Sequence, residues 1–290
     1  MDPKARLTTA HFNGLYSPQF AFDDRQQFPV GTLAPGMDPS GRELTIMDAR
    51  ALQAAEGGSE AEFFSRHAFV LLPHVSAVGD WDDESAIYQP EIDRVIRKRL
   101  LPGKTVEIQQ GPKVLRRGRG TATPEYADGV HSDGGLDLDD YVHNIGAFSN
   151  DQAAQWWRTL YERPDVSGLI WIDFWRTTNM SGPLEHMPLA LCDPSSVEAD
   201  DVVPVGMTGI APDNRQSRHL SLRFRPQQRW YYYPGMTTDE LLAFKLAEFW
   251  KTPTPFRNCF HSAFPHADTP EGAEKRQSCE HRVGVLVLAD

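Results

Sequence analysis

Residues 169–174 read Leu-Ile-Trp-Ile-Asp-Phe, a run dense in large apolar side chains. A run that short, rich in β-branched and aromatic residues, reads as a buried strand rather than a helix. Residues 220–225, Leu-Ser-Leu-Arg-Phe-Arg, alternate apolar with polar, the two-residue period of a strand with one buried face. Residues 229–233 are aromatic, and residues 283–289 are almost continuously apolar. Gly and Pro separate these runs without the regular strand-helix alternation of a parallel α/β sheet. The pattern predicts a mainly β protein with flanking helices and a sandwich or barrel core.

Towards the amino terminus, residues 68–73 form a further buried run that Pro73 ends, since proline cannot donate to a ladder. A helix is predicted from Glu91, with Pro90 in its first turn and Ile92, Val95, Ile96 and Leu100 at helical spacing, until Pro102-Gly103 stops it. A second is predicted over 151–162, where Ser149 and Gln152 have capping-box spacing and Trp156, Trp157, Leu160 and Tyr161 share an apolar face. Residues 237–250 fit either a capped helix or a strand. Residues 1–60 are rich in Pro, Gly, Asp and Gln and read as a segment wrapping a core built elsewhere. No repeat or low-complexity linker divides the chain. The expected organisation is one domain, residues 1–290, with a wrapping segment and helices over 1–104 and the core over 105–290.

The 29 Lys and Arg residues are outnumbered by 40 Asp and Glu, a formal charge of -11. That balance argues against a nucleic-acid backbone or an anionic membrane as the main partner and leaves a small molecule as the expected one. Arg116, Arg117 and Arg119 form a short basic cluster, read as a solvated loop or local anion contact. Three separated cysteines, Cys192, Cys259 and Cys279, make no metal or redox motif and favour a reducing compartment. The amino-terminal residues lack a signal-like apolar run, so a cytoplasmic protein is expected. Oligomeric state is left open.

The sharpest chemical feature is His131-Ser132-Asp133. Side chains two apart on an extended segment point the same way, so an imidazole and a carboxylate can hold one face of a metal. A third ligand from elsewhere would complete a two-His, one-carboxylate triad that leaves positions open for other ligands. His261, in Phe-His-Ser-Ala-Phe (260–264), is the candidate. Fifteen residues later stands Arg276, followed by Ser278 and Arg282 before the last apolar run. A guanidinium fork with a nearby hydroxyl matches a carboxylate in charge and geometry. Positions 276, 278, 280 and 282 share one face if that strand begins early. Glu280 is then expected to pair with one arginine and leave the other, preferably Arg276, for a bound carboxylate.

Several of these stretches together resemble the AsaB/CmcJ-like family of non-haem iron oxygenases: Trp175-Arg176, the segment 188–193 with Asp200-Asp201, the segment 229–233, His261-Ser-Ala-Phe, and the segment 276–282. The similarity runs from about Gly41 to the carboxy terminus. It implies a double-stranded β-helix (jelly-roll, cupin-like) core. It also implies Fe(II), 2-oxoglutarate and O2 as cofactor and co-substrates, and a small amino-acid-derived or terpenoid-like substrate that is hydroxylated, desaturated or cyclised. In such folds the distal histidine precedes the arginine that binds the far carboxylate of 2-oxoglutarate, the role that falls on Arg276 with Ser278, and Arg282 competes for it. Two departures stand out. Members commonly carry Asn before the Trp-Arg pair and Pro after it, where this chain has Asp173 and Thr177, and many have His where it has Gln228. Arg176, Tyr231 and Tyr233 are candidate substrate contacts, and the remaining histidines, including His219, read as structural or exposed. The alternative is a cupin-like zinc hydrolase or metal-dependent binding protein without oxygenase turnover, with Glu280 or Glu125 as its base.

Overall fold

A computed structural model describes residues 7–82, 85–111 and 114–289. In chain order, β1 (Leu7–Phe12), β2 (Gln26–Pro29) and β3 (Arg42–Asp48) precede two short helices, α1 (Ala49–Glu56) and α2 (Glu60–His67). β4 (Phe69–Pro73) leads to α3 (Ser85–Val95), which runs on as a π-helical turn over Ile96–Leu100. β5 (Val106–Gln110) and β6 (Leu115–Arg117) come before the helix pair α4 (Leu138–Phe148) and α5 (Asp151–Glu162). The remaining strands are β7 (Val166–Thr177), β8 (Leu189–Cys192), β9 (Val202–Thr208), β10 (Ser217–Leu222), β11 (Trp230–Tyr232), β12 (Glu240–Trp250), β13 (His261–Ala263) and β14 (Ser278–Leu288).

Five strands form one sheet in the order β1-β3-β11-β8-β13, and β4-β12-β7-β14-β5, with β6 against β14, form another. A third sheet is β10-β9-β2. Leu189, Leu191 and Tyr231 of the first sheet share one apolar cluster with Trp175, Leu242 and Phe244 of the second. This is the mainly β, jelly-roll architecture expected from the sequence.

β7 is the strand to follow. Residues 169–174 lie inside it, buried because β12 and β14 flank it in the sheet. Alternation gives its two faces different work. Trp171, Asp173, Trp175 and Thr177 share one face with the β14 residues registered beside them, among them Ser278 opposite Thr177, Glu280 opposite Trp175 and Arg282 opposite Asp173. Phe174 and Arg176 point the other way, with His281 beside Phe174. That second face is covered by α3 and the loop before it: Tyr88 meets the His281 ring edge-on at 5.7 Å, and Trp81 meets Tyr88 at 5.1 Å.

The structure corrects several sequence expectations. Residues 1–60 do more than wrap, because β1 and β3 supply two of the five strands in the first sheet. Their apolar positions, Ala10 and Phe12, then Leu44 and Ile46, alternate over runs too short to stand out in sequence. Strands therefore occur on both sides of residue 105. Residues 240–250 are strand, not helix, since both edges of that segment pair with β4 and β7. α3 begins a turn before the expected start and carries Pro90 in its interior, held by burial of Tyr88. The cap of α5 is Asn150, which accepts from the Ala153 N–H, rather than Ser149, and only Trp157 of the tryptophan pair is buried. Trp157 sits where any side chain at Gly284 would be, so β14 needs glycine there. Arg116 and Arg117 lie on β6, paired with Asp82 and Glu280.

His67 ties α2 to this framework. Its Nε2 lies 3.0 Å from Glu56 and its Nδ1 3.3 Å from Asp193, whose carboxylate also meets Arg229 at 3.0 Å. Burial opposes protonation of His67, yet Asp193 and Glu56 hold its pKa above the usual imidazole value. Burial likewise opposes ionisation of Asp193, but His67, Ser195 and Arg229 push it far below the ordinary carboxylate range. The imidazolium therefore contributes fully below the unfolded value of about 6.5 and its contribution is lost as pH rises through the raised folded value. The Asp193 contribution is present above about pH 4 and is lost only in acid. His67→Leu is expected to cost about 3 kcal/mol near pH 6, because it leaves a buried carboxylate short of a partner. The difference from wild type should shrink in urea unfolding at alkaline pH; a pH-independent difference would contradict the ion-pair account.

Candidate metal centre

His131 and His261, 130 positions apart in sequence, form a two-residue antiparallel bridge. The His131 N–H donates to the His261 carbonyl at 3.2 Å, and the His261 N–H returns a bond of 2.9 Å. Residues that exchange both backbone bonds put their side chains on the same side, and here the ring centroids are 4.4 Å apart. Ser132 is bridged in turn to Leu220 of β10, which fixes the direction of the next residue, Asp133. Two glycines then let the chain leave towards α4: a Cβ at Gly134 would run into the Leu246 carbonyl, and one at Gly135 into the Asp140 side chain. The outcome is that one donor atom from each of His131, Asp133 and His261 lies within 4.8 Å of the others. Among the described residues this is the one such cluster.

The protonation states suit a cation. The His131 Nδ1 lies 2.6 Å from the Gly129 carbonyl and the His261 Nδ1 3.1 Å from the Cys259 carbonyl. A carbonyl only accepts, so each ring carries a proton on Nδ1, and Nε2 is the nitrogen left to bind a cation. Burial, reinforced by His131, pushes the His261 pKa down to about 3, so its ring is neutral. Burial would raise the Asp133 pKa, but Arg282 and the His219 contact hold it well below the ordinary carboxylate value. Arg282 meets Asp133 Oδ2 at 2.9 Å. Phe244 lies against the His261 ring at 4.8 Å and closes that side to water.

Arg282 continues a row of alternating charge: it lies 3.5 Å from Glu280, which lies 3.3 Å from Arg117. The expectation that Glu280 pairs with one arginine is met, and Arg282 is the one. Arg276 differs. It is 2 % exposed, its Nη1 donates to the Met187 carbonyl at 2.5 Å, and its guanidinium lies 4.1 Å from the Tyr126 ring centre and 5.5 Å from that of Trp175. No carboxylate of the described residues is within ion-pair distance of it. Burial pulls its pKa down to about 10, still cationic at neutral pH. Nearby polar atoms are also unmatched: Arg276 Nε, Ser278 Oγ and the Oγ1 of Thr177, paired with Ser278 across the sheet, are buried without partners. Buried polar groups normally find partners, so this group has unused donors on one face of the sheet.

Asp173 is another unmatched group on the same face, between Phe244 on β12 and Arg282 on β14. Neither of its oxygens has a partner, and burial, with the nearby Glu280 charge, pushes its pKa well above the carboxylate range.

Three candidates do not reach the site. Arg176 lies on the opposite face of β7, where its guanidinium bonds the His74 Nδ1, the His74 carbonyl and the Thr238 carbonyl and stacks 5.3 Å from the Trp81 ring centre. It is a buried tie between loops. Arg176→Met is expected to lower the melting temperature by several degrees, on the order of 2 kcal/mol, because three acceptors lose their donor. Co-substrate affinity should stay unchanged, and a selective loss of that affinity would overturn this assignment. Tyr233 donates to Gln53 and also meets the Leu71 N–H, and Tyr231 packs 5.9 Å from the Phe69 ring; both belong to the core. Asp137, Asp139 and Asp140 form the α4 start: Asp137 caps it, and Asp140 is buried against Arg25 and Arg218. His219, read as structural or exposed, turns out to stand beside Asp133, 3.5 Å away. Its proximity has no local sequence signal, because it depends on the pairing of residue 132 with residue 220.

Comparison with known proteins agrees with this geometry. The family described as "Oxidoreductase/YMDC permease-like domain" matches residues 36–286, although no described helix is long and apolar enough to cross a membrane. A hydroxylase/desaturase of Cercospora beticola, CTB9, is 34% identical over 251 residues, covering 80% of this chain and 74% of that protein. Aspirochlorine biosynthesis protein N of Aspergillus oryzae is 32% identical over 111 residues, 38% of this chain and 45% of that protein. A solved structure of the iron and alpha-ketoglutarate-dependent endoperoxidase NvfI superposes with a TM-score of 0.70 at 18% identity, over 99% of both chains, a likeness of fold. A family match of that extent, with a relative at that identity, shows that the chain belongs to this oxidoreductase family, the AsaB/CmcJ-like group that its sequence resembles.

Proposed function

We propose that the protein is an Fe(II) and 2-oxoglutarate dependent oxygenase acting on a small secondary metabolite, with its iron held by His131, Asp133 and His261. One observation carries this reading: two imidazoles and a carboxylate held in its ionised form converge within 4.8 Å. A buried, unpaired guanidinium adds to it on the face that also carries Arg282, the partner of Asp133. Two nitrogens and one carboxylate oxygen suit Fe(II) and leave positions open. Bound iron, with 2-oxoglutarate and O2, supplies the oxidising chemistry, which couples decarboxylation to succinate with hydroxylation, desaturation or ring formation in the substrate.

This chain's residues bind, orient and exclude water. Arg276, with the hydroxyls of Ser278 and Thr177, takes the distal carboxylate of 2-oxoglutarate, an anion that matches three unsatisfied polar groups at once. Arg282 stays with Asp133 and keeps it ionised and oriented. Trp171, Trp175 and Phe244 wall the site against water. The substrate is of the amino-acid-derived or terpenoid-like class, residues 1–290 act as one oxygenase domain, and the three buried cysteines, none in a disulfide, suit the cytoplasm.

The test is anaerobic reconstitution with Fe(II) followed by 2-oxoglutarate, then succinate measured in air against a panel of candidate metabolites. A weak visible charge-transfer band and substrate-stimulated succinate are expected. Absence of the band, with tight zinc occupancy, would favour the hydrolase reading instead.

A further inference from the structure

Asp133 is flanked at both of its oxygens. Arg282 takes Oδ2, and Oδ1 faces His219 Nδ1 at 3.5 Å. His219 is 4 % exposed, so water does not compete for that nitrogen, which makes no hydrogen bond among the described residues and has Asp133 as its nearby acceptor. Its other nitrogen, Nε2, lies 2.8 Å from the Ser217 hydroxyl, which also reaches the Met207 carbonyl at 3.3 Å. All of this is carried by β10, the strand whose Leu220 is bridged to Ser132. The bridge therefore locks the His219 ring and the Asp133 carboxylate to adjacent positions of paired backbone.

We infer that His219 is a positioning residue for the metal ligand Asp133: its Nδ1–H points at Oδ1, and the single Ser217 proton goes to Nε2, 2.8 Å away, rather than to the Met207 carbonyl at 3.3 Å, which fixes the tautomer. An ionised carboxylate only accepts, so the proton facing it must be on the imidazole. With Nδ1 as donor, Nε2 is left an acceptor, and a hydroxyl is the neighbour that can satisfy it. Groups that orient metal ligands in this way typically affect metal affinity by about 10- to 100-fold. The inference rests on the proposed metal role of Asp133 and adds a residue to it.

Because the contact runs through Nδ1, side-chain amides discriminate. Asn places an N–H near the position of Nδ1, whereas the Gln amide reaches towards Nε2. Co(II) and Fe(II) affinities are to be measured anaerobically by chelator competition for the wild type, His219→Asn, His219→Gln, His219→Ala and Asp133→Ala, alongside melting curves of the metal-free proteins. Expected are near-wild-type affinity for His219→Asn and a loss of about 10- to 100-fold for His219→Gln and His219→Ala that does not follow their melting temperatures. Equal affinity across the His219 variants, or losses for Asn and Gln alike that track stability, would overturn the inference. Nitrogen-15 spectra of histidine-labelled wild type give an answer independent of variant folding: Nδ1–H at His219 supports the inference, and Nε2–H refutes it. If the wild type and Asp133→Ala bind metal equally, the metal reading itself has failed. If Asp133→Ala loses the metal and His219→Ala keeps it, only the positioning role has failed.

Discussion

Asp133→Ala is expected to abolish both Fe(II) retention and succinate formation. The carboxylate is the only anionic donor in the cluster, and Arg282 sits 2.9 Å from it. Removing it leaves two imidazoles facing a guanidinium whose charge now opposes a divalent cation. Deleting one member of a buried, hydrogen-bonded charge pair costs about 2–5 kcal/mol, and here the lost group is also a ligand, so a drop in metal affinity of at least about 10²-fold is expected. Asp133→Asn should fail nearly as badly, because it keeps the shape and loses the charge. Metal titration and the visible band on adding 2-oxoglutarate measure both. A normal band in Asp133→Ala would refute the assignment of the triad.

Arg276→Leu is expected to raise the dissociation constant for 2-oxoglutarate by about 10²- to 10³-fold while leaving metal affinity intact. The change withdraws the charge that a buried carboxylate needs, a loss of about 3–4 kcal/mol. Arg276→Lys should recover only part of it, since an ammonium is a point charge without the planar fork. The folded chain without co-substrate should not be destabilised, because Arg276 is a buried cation with no anionic partner and replacing such a charge by an apolar side chain is often neutral or stabilising. Arg282→Gln should show the reverse pattern, weakening the metal and sparing 2-oxoglutarate. Anaerobic titrations monitored by the charge-transfer band separate the two arginines. If Arg282→Gln loses 2-oxoglutarate selectively and Arg276→Leu does not, their roles are exchanged.

Legibility in the sequence followed the range of the interactions. β7, β4, the last strand and α5 were readable because their signals are local: a dense apolar run, a terminating proline, helical spacing. β1 and β3 were not, since their alternation is short and acquires meaning only when β11 and β8 complete the sheet. Residues 237–250 satisfied a helix cap and a strand equally, and pairing with β4 and β7 chose the strand. Trp156 and Trp157 looked equivalent, yet the space left by Gly284 accepts only Trp157.

The same division holds at the site. By itself the sequence picked out the groups of the proposed site: the pair His131 and Asp133, the distal His261, which the fold brings together, and the two arginines before the last apolar run, with the family resemblance naming the oxidant. It also determined that Glu280 would occupy one arginine. Tertiary structure decided which arginine, because registry between β7 and β14 sets Arg282 beside Asp173 and within reach of Asp133. It decided as well that Arg176 faces away and that His219 comes in. Side-chain direction along one strand is a local property with a period of two, whereas contact between strands depends on pairings across the whole chain.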